Sequence, residues 1–474
     1  SVSHLKLIGL TLGFLGVQFA WAVQIAFGSP LIAQLGVSHF WTSYIWLAGP
    51  ISGLIAQQPV VGVMSDRCTS RFGRRKPFIF TGSQYQISIL LVGMIFEVVG
   101  LLMLGNAKDV GEVMGDTSNS RKVAIGLAVV GFWVLDFSNN TIQGPCRSML
   151  ADLAPPHQQE IGNAWFSFML GMGNLVGFFI GYLPLLDYFP FLKSQIRALC
   201  IIAILVLVTC ISITLLTTTE RQDILPSEES SNIALSILRG IKDMPVEMRK
   251  ICTIQFFSWI GWFCFLVFIT TWVSRLQPPT QVGENIYLGS ADAPEDSQEF
   301  KRYSEGVRMG SFGLCVFSAV TIAYSFFLPP LIQCAGSKFM YLVGQVTFAS
   351  CMIGSLWVTT SAGALSVIGG CGIAWATSMI IPFSLIAKLL AGNNTGLYIG
   401  VLNIFVVIPQ LLDALFIGFL VKYFNNNIAA ALATGGVFAM LAIVFIPCLR
   451  PESNIPQTSP ESSPDDGQLS YQNE

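Results

Sequence analysis

Charge is what this sequence has least of. Of its 474 residues, 11% are Asp, Glu, Lys or Arg, where a soluble domain carries about a quarter. That deficit excludes an ordinary soluble enzyme. Neither sign is in strong excess. There are 25 Lys and Arg against 27 Asp and Glu, for a net charge of -2, so no basic field exists to hold a nucleic acid. Histidine occurs three times. The eleven cysteines are odd in number and scattered, most of them inside apolar runs. They form no CxxC pair and no Cys/His cluster at metal spacing. They read as small buried hydrophobes, and no metal or other cofactor is expected.

What is abundant is apolar surface. Hydrophobic residues make up 53% of the chain and the mean hydropathy is +0.64. A spanning helix needs about 20 apolar residues, and twelve runs of about that length follow one another. In the first half they cover 7–29, 41–64, 78–104, 123–150, 161–183 and 198–216. In the second half they cover 251–273, 309–332, 339–358, 365–390, 396–421 and 428–449. The runs are too long and alternate too little for barrel strands. The first is too long, and wrongly flanked, for a cleaved signal peptide. The expected class is an all-α integral membrane protein with twelve transmembrane helices.

The longest polar interruption near mid-chain separates the runs six and six. It suggests an N-terminal six-helix bundle over 1–216, a linker over 217–250 and a C-terminal bundle over 251–449. This is the plan of the major facilitator fold. The tail over 450–474, rich in Pro, Ser, Glu and Asp, is expected to be disordered. The short loop SDRCTSRFGRRKP carries Arg67, Arg71, Arg74, Arg75 and Lys76 against Asp66, which marks it as cytoplasmic. An even number of spans then puts both termini in the cytoplasm. The loop containing Asp292, Glu295, Asp296 and Glu299 falls outside. Asp66, Arg71, Gly73, Arg74 and Arg75 either latch a cytoplasmic gate or set topology alone.

Polar residues inside spans are functional candidates, because each is expensive there. Span four reads GFWVLDFSNNTIQGPCRSMLADL. Asp136, Asn139, Asn140, Gln143 and Arg147 stand at offsets of 0, 3, 4, 7 and 11, on one helix face. That face must line protein or water. Asp136 sits near mid-depth, with Arg147 about three turns further on. Burial and a neighbouring Arg push a carboxyl's proton affinity in opposite directions, which suits an acid that loads and releases a proton. In span one, Gln18, Trp21 and Gln24 recur every third residue. Amides beside an aromatic plane suit sugar hydroxyls and the apolar face of a sugar ring. Span eleven offers Asn403, Gln410 and Asp413 around Pro409. Asp413 is a second intramembrane acid, either a coupling site or a structural partner. Asn163, Trp165 and Asn174 in span five are weaker candidates. Trp259, Trp262 and Trp375 read as lipid-belt or packing residues. His39, in LGVSHFW, is expected exposed at the outer end, as a sensor of external pH or a plain loop residue.

The strings GVQFAWAVQ, IWLAGPISG, SDRCTSRFGRRKPFI, GFWVLDFSNNTIQGPCR, NAWFSF, GMGNLVG and VLNIFVVIPQ resemble plant sucrose–proton symporters. These belong to the glycoside–pentoside–hexuronide branch of the major facilitator superfamily, with fungal alpha-glucoside carriers and animal homologues. The resemblance is strongest over the first five spans. It implies proton-coupled uptake of sucrose or a related alpha-glucoside across the plasma membrane, by a chain that works as a monomer in the lipid bilayer. It assigns proton and sugar contact to Asp136, an essential charge to Arg147 and an effect on sugar affinity to His39. The plant pattern FDTDW in span seven reads Phe268-Ile269-Thr270-Thr271-Trp272 here. Both acids are missing, which makes a broader range that includes maltose and trehalose plausible. The competing readings are an uncoupled facilitator or a transporter-like sugar sensor. An intramembrane enzyme would need paired acids, a nucleophile with a base, or a metal triad, and the sequence offers none of these at helical spacing.

Overall fold

The computed structural model describes residues 3–55, 85–117, 120–153, 159–217, 240–242, 244–274, 290–291, 293–294, 297–389 and 395–449. Thirteen helices organise them: α1 (His4–Gln34), α2 (His39–Ile45), α3 (Ala48–Ser52), α4 (Tyr85–Val113), α5 (Lys122–Leu153), α6 (Gln159–Tyr182), α7 (Gln195–Thr217), α8 (Val246–Ser274), α9 (Gln298–Ala335), α10 (Ser337–Gly354), α11 (Ser361–Leu389), α12 (Thr395–Tyr423) and α13 (Ile428–Phe445). Shorter helical turns connect some of them. One isolated bridge, Thr117 to Ser120, is the sole β pairing among the described residues.

Ten of these helices contain a stretch long and apolar enough to cross a membrane. The protein is therefore a multi-pass membrane protein. The expected second span begins in α2 and α3, and its remainder lies outside the described residues. The expected ninth is α10, a helix of 18 residues whose Lys338 and Gln345 dilute its apolar character. Large apolar side chains cover the outer surface. Val92, Ile95, Phe96 and Val99 of α4 and Leu412, Leu415, Phe416 and Phe419 of α12 are all exposed. Contiguous apolar surface of this kind suits lipid, not water.

Small residues set how closely the helices approach, since lipid supplies no hydrophobic drive between them. Gly9, Gly13 and Gly16 turn α1 toward Thr217, Thr214 and Leu207 of α7. There the Thr214 hydroxyl accepts from Gly13 N (2.8 Å) and donates to Gly9 O (2.8 Å). It is thus inserted into the α1 backbone ladder. Gly173 and Gly177 of α6 meet α1 at Leu15, Gln18, Phe19 and Ala22. Gly93 and Gly100 of α4 meet Ile142 and Leu135 of α5, so α4 and α5 run antiparallel in tight contact. Further along the chain, Gly261 of α8 meets Gly435 of α13.

α9 is longer than expected. It starts at Gln298, eleven residues before the apolar run, and reaches 38 residues, about 57 Å. Ser297 caps it by accepting from Phe300 N (3.1 Å). Glu299, expected in a loop, is in its first turn, where the helix dipole favours an acid. Asp292, Glu295 and Asp296 lie outside the described residues.

Candidate functional site

The site grows from the polar face of α5. Asp136 is the fifteenth residue of this 32-residue helix, about 21 Å from its start and so near the middle of the helix. Asp136 and Asn139 are buried, at 4% and 5% exposure. Asn140 and Gln143 are half-buried. The expected face therefore exists, and its members are tied to one another. Gln143 Nε2 donates to Asn139 Oδ1 (2.7 Å), and Asn140 Nδ2 donates to Asp136 O (2.9 Å). Asn140 Nδ2 also donates to Ser52 Oγ (2.8 Å), which seats α3 against α5. That seat brings Gly49 over the Asp136 carboxylate. A methyl group built on Gly49 would lie 4.0 Å from each carboxylate oxygen, so glycine leaves room above the acid.

From α1, Gln18 and Gln24 face this region, both buried. Gln24 Nε2 and Asp136 Oδ2 are both buried and meet no hydrogen-bond partner at bonding distance. A buried donor and a buried acceptor left open in one place cost free energy, and that is the condition a polar ligand relieves. Gln18 Nε2 donates to Asn174 Oδ1 of α6 (2.9 Å), so the weaker candidate Asn174 is tied to the candidate face of α1. Trp21, between the two glutamines, is partly buried. Of Arg147 the position on α5 is described, eleven residues beyond Asp136. The candidate gate residues Asp66, Arg71, Gly73, Arg74 and Arg75 fall outside the described residues, as does the side chain of Asn163.

Other expectations need correction. His39 is not an exposed loop residue. It opens α2, is 7% exposed and meets the Phe268 ring edge-on at 6.4 Å. The serine and glycine before it turn the chain so that the imidazole faces inward. Gln410 Nε2 donates back to Val406 O of its own helix (3.0 Å), which leaves its amide oxygen as the group open to a ligand. Asn403 is partly buried on the same helix. Trp165 lies with His4, twenty residues from Gln24 along α1, at the far end of that helix. Trp262 is fully buried and stacked on Phe348 at 3.9 Å. Trp259 and Trp375 pack edge-on at 5.8 Å, so of the two expected roles, lipid belt or packing, these indoles take packing.

Asp413 does have a partner. Cys264 Sγ donates to Asp413 Oδ2 (3.2 Å), a buried contact between α8 and α12. Cys264→Ala would leave the acid bare and cost about 1–3 kcal/mol. Thermal unfolding of the purified variant is expected to shift down by several degrees; an unchanged midpoint would show that the thiol contributes nothing. Ile269 and Thr271, which stand where the plant pattern has acids, are fully buried.

Among the described residues, five hydrogen bonds tie residues before 217 to residues after 246 or close that junction, all toward one end of the bundle. Ser29 Oγ donates to Val267 O (2.6 Å) and accepts from Trp46 Nε1 (2.9 Å). Tyr303 OH donates to Pro30 O (3.3 Å), Ser311 Oγ to Phe178 O (2.8 Å) and Tyr44 OH to Leu415 O (3.3 Å). Toward the other end α1 instead runs along α7, and α8 along α13.

Sequence reasoning missed Glu97 of α4. It is 1% exposed, and its Oε2 has no partner. One signal was available, a lone acid in the apolar run MIFEVVG.

No protein-family model matches the chain. Sucrose transport protein SUT3 of Oryza sativa subsp. japonica is 31% identical, over 97% of this chain and 95% of its own length. The general alpha-glucoside permease of Schizosaccharomyces pombe is 30% identical over 93% of both chains. Among solved structures, the nucleoside transporter NupG superposes with a TM-score of 0.66 at 11% identity, over 94% of this chain and 100% of that one. A D-xylose–proton symporter superposes with a TM-score of 0.61 at 15% identity, over 96% of this chain and 100% of that one. The fold is that of the major facilitator transporters.

Proposed function

This chain belongs to the sucrose and alpha-glucoside transporter family, and from that premise we propose that it carries sucrose or a related alpha-glucoside into the cell together with a proton. The observation that carries the coupling is the open carboxylate oxygen of Asp136, buried near the middle of α5 opposite the open amide of Gln24. The bonded pair Gln18–Asn174 and the amides of Asn139, Asn140 and Gln143 supply donors and acceptors for sugar hydroxyls, with Trp21 as a ring platform. Asn403 and Gln410 complete the opposite wall, Gln410 through its amide oxygen. Arg147 favours the ionised state of Asp136 when the proton leaves. Asp413, held by Cys264, serves as a structural acid. His39 acts on sugar affinity through the junction it packs into. Asp66, Arg71, Gly73, Arg74 and Arg75 form the cytoplasmic gate.

The proposed architecture is twelve spans in two six-helix bundles, 1–216 and 251–449, joined by a cytoplasmic linker and followed by a cytoplasmic tail. Both termini are cytoplasmic, the chain is a monomer in the plasma membrane, and the proton is its one coupling partner besides sugar. In this reading the end sealed by Ser29, Trp46 and Tyr303 is the outer one, and the cavity opens inward. Transport then proceeds by alternating access. With the cavity open to the outside, Asp136 takes a proton and sugar binds. Neutralising the acid lowers the cost of closing a dry cavity over it. With the cavity open inward, sugar and proton leave.

Membrane current in cells expressing the chain tests the proposal. Sucrose, maltose and trehalose are added in sodium-free medium at acidic and near-neutral pH. Inward current that grows with acidity is the expected result, and the ranking of sugars names the substrate. Equilibration of labelled sugar without current would instead make the protein an uncoupled facilitator. Absence of both, with the protein verified at the surface, would sink the reading.

A further inference from the structure

Glu97 stands on the face of α4 that meets α5. Gly93 and Gly100, four residues before it and three after, touch Ile142 and Leu135. Antiparallel packing in that register sets Glu97 level with Ser138 of α5, two residues along the helix from Asp136. The opposite face of α4 presents Val92, Ile95, Phe96 and Val99 outward, so the acid cannot turn to the surface without crossing an apolar flank. Glu97 is 1% exposed and its Oε2 is unpartnered.

The elements packed on α4 offer no described cation near it. α5 presents Asp136. α7 meets α4 two turns away, where Cys200 touches Gly105, and Arg197 is already paired with Asp109 at that end. Lys108 lies eleven residues from Glu97, beside Glu112. Arg147 is eleven residues from Asp136 along α5, about 16 Å. Two neighbouring carboxylates in a low-dielectric interior cannot both ionise cheaply, because each disfavours the other's charge. Such a pair gives up its protons in two steps that belong to the pair.

We infer that Glu97 and Asp136 form one proton-holding unit, in which Glu97 keeps its proton through the cycle while Asp136 exchanges the transported one. The inference rests on the proton-coupled reading above for the role of Asp136. Its consequence is an alkaline limit. When Glu97 finally loses its proton, the doubly charged pair opposes closure of the dry cavity and transport stops.

Infrared spectroscopy of the purified protein reads the retained proton directly, through the carbonyl stretch of a protonated carboxyl. At neutral pH the wild type is expected to show this band, Asp136→Asn to keep it, Glu97→Gln to lose it and Glu97→Asp to restore it. In the current assay, Glu97→Gln should leave the acid side of the pH profile in place. It should extend transport to about tenfold lower proton concentration or beyond, the scale at which two acids titrate as a pair. A band that survives Glu97→Gln, or a profile identical to that of the wild type, overturns the inference. So does a current that requires sodium. If the wild type gives no sugar-driven current at any pH, the transport reading has failed instead, and the infrared result still decides whether Glu97 holds a proton. A Glu97→Gln protein that does not reach the membrane is replaced by Glu97→Met, an uncharged side chain of similar length, which must likewise lose the band and extend the alkaline limit; a band or limit unchanged in it overturns the inference.

Discussion

Asp136→Asn is expected to abolish concentrative uptake while sparing exchange of labelled sugar across the membrane. Asn keeps the size of the side chain and its hydrogen-bonding capacity, so the packing against Gly49 and the seat of α3 on α5 should persist. What is lost is the ability to change charge. One charge moving through 100 mV is worth about 2.3 kcal/mol, which sustains roughly fifty-fold accumulation in a 1:1 symport before any pH gradient is added. In the variant that ratio falls to unity. Exchange survives because it needs the cavity to close over sugar at a neutral site, and the substituted amide is neutral throughout. The measurement is the steady-state ratio of labelled sugar inside and outside, beside the rate of counterflow from preloaded vesicles. A variant that still concentrates sugar against its gradient would remove Asp136 from the coupling site. Loss of both accumulation and counterflow, with normal surface expression, would make Asp136 a sugar ligand first and a proton carrier second.

How much of this is legible in the sequence depends on what each signal encodes. Helical periodicity places Asp136, Asn139, Asn140 and Gln143 on one face, and that face is where Ser52, Gly49 and Gln24 converge. Apolar run length locates ten spans, most of them to within a few residues, with α4 ending nine residues beyond its run and α9 beginning eleven before its own. Neither signal encodes which helix lies opposite. The placing of Glu97 level with Ser138, two residues from Asp136 on α5, comes from the register set by Gly93 and Gly100, two small residues inside an apolar run, and hydropathy alone gives no reason to single them out. His39 departs from expectation for a similar reason. Its polarity argues for exposure, but α2 folds the segment inward against Phe268, and only tertiary packing decides that. Gln410 reads as free to meet a ligand because its place on the helix is right. Its amide nitrogen instead occupies the carbonyl of Val406, a local bond that leaves the amide oxygen for an outward role. α9 outruns its apolar stretch because its first turns are polar, and a span search stops where hydropathy stops.

Ser29→Ala is expected to shift the protein toward the state in which the end sealed by Ser29 is open. Among the described side chains at that junction, the Ser29 hydroxyl both donates and accepts, giving to Val267 O and receiving from Trp46 Nε1. It lies beside Pro30, whose carbonyl accepts from Tyr303, so two contacts from the second set of helices meet one turn of α1. Val267 lies inside α8 and keeps its own backbone partner, but the Trp46 indole N–H would be left buried and unpaired. Removing one partner in this way costs about 1–3 kcal/mol. The other facing state breaks this contact anyway and bears no such cost, so the equilibrium between the two states moves by roughly 5- to 150-fold. Labelling of a cysteine placed at Thr42, a buried position of α2 at the same end, should accelerate by that factor with a reagent that cannot cross the membrane. Trp46→Phe deletes the donor instead of the acceptor, leaves no orphaned indole and should move the rate less. If both variants label at the parent rate while counterflow is unchanged, the Ser29 contacts are packing incidental to the facing equilibrium, and the seal must be assigned to the Ser311 and Tyr44 contacts instead.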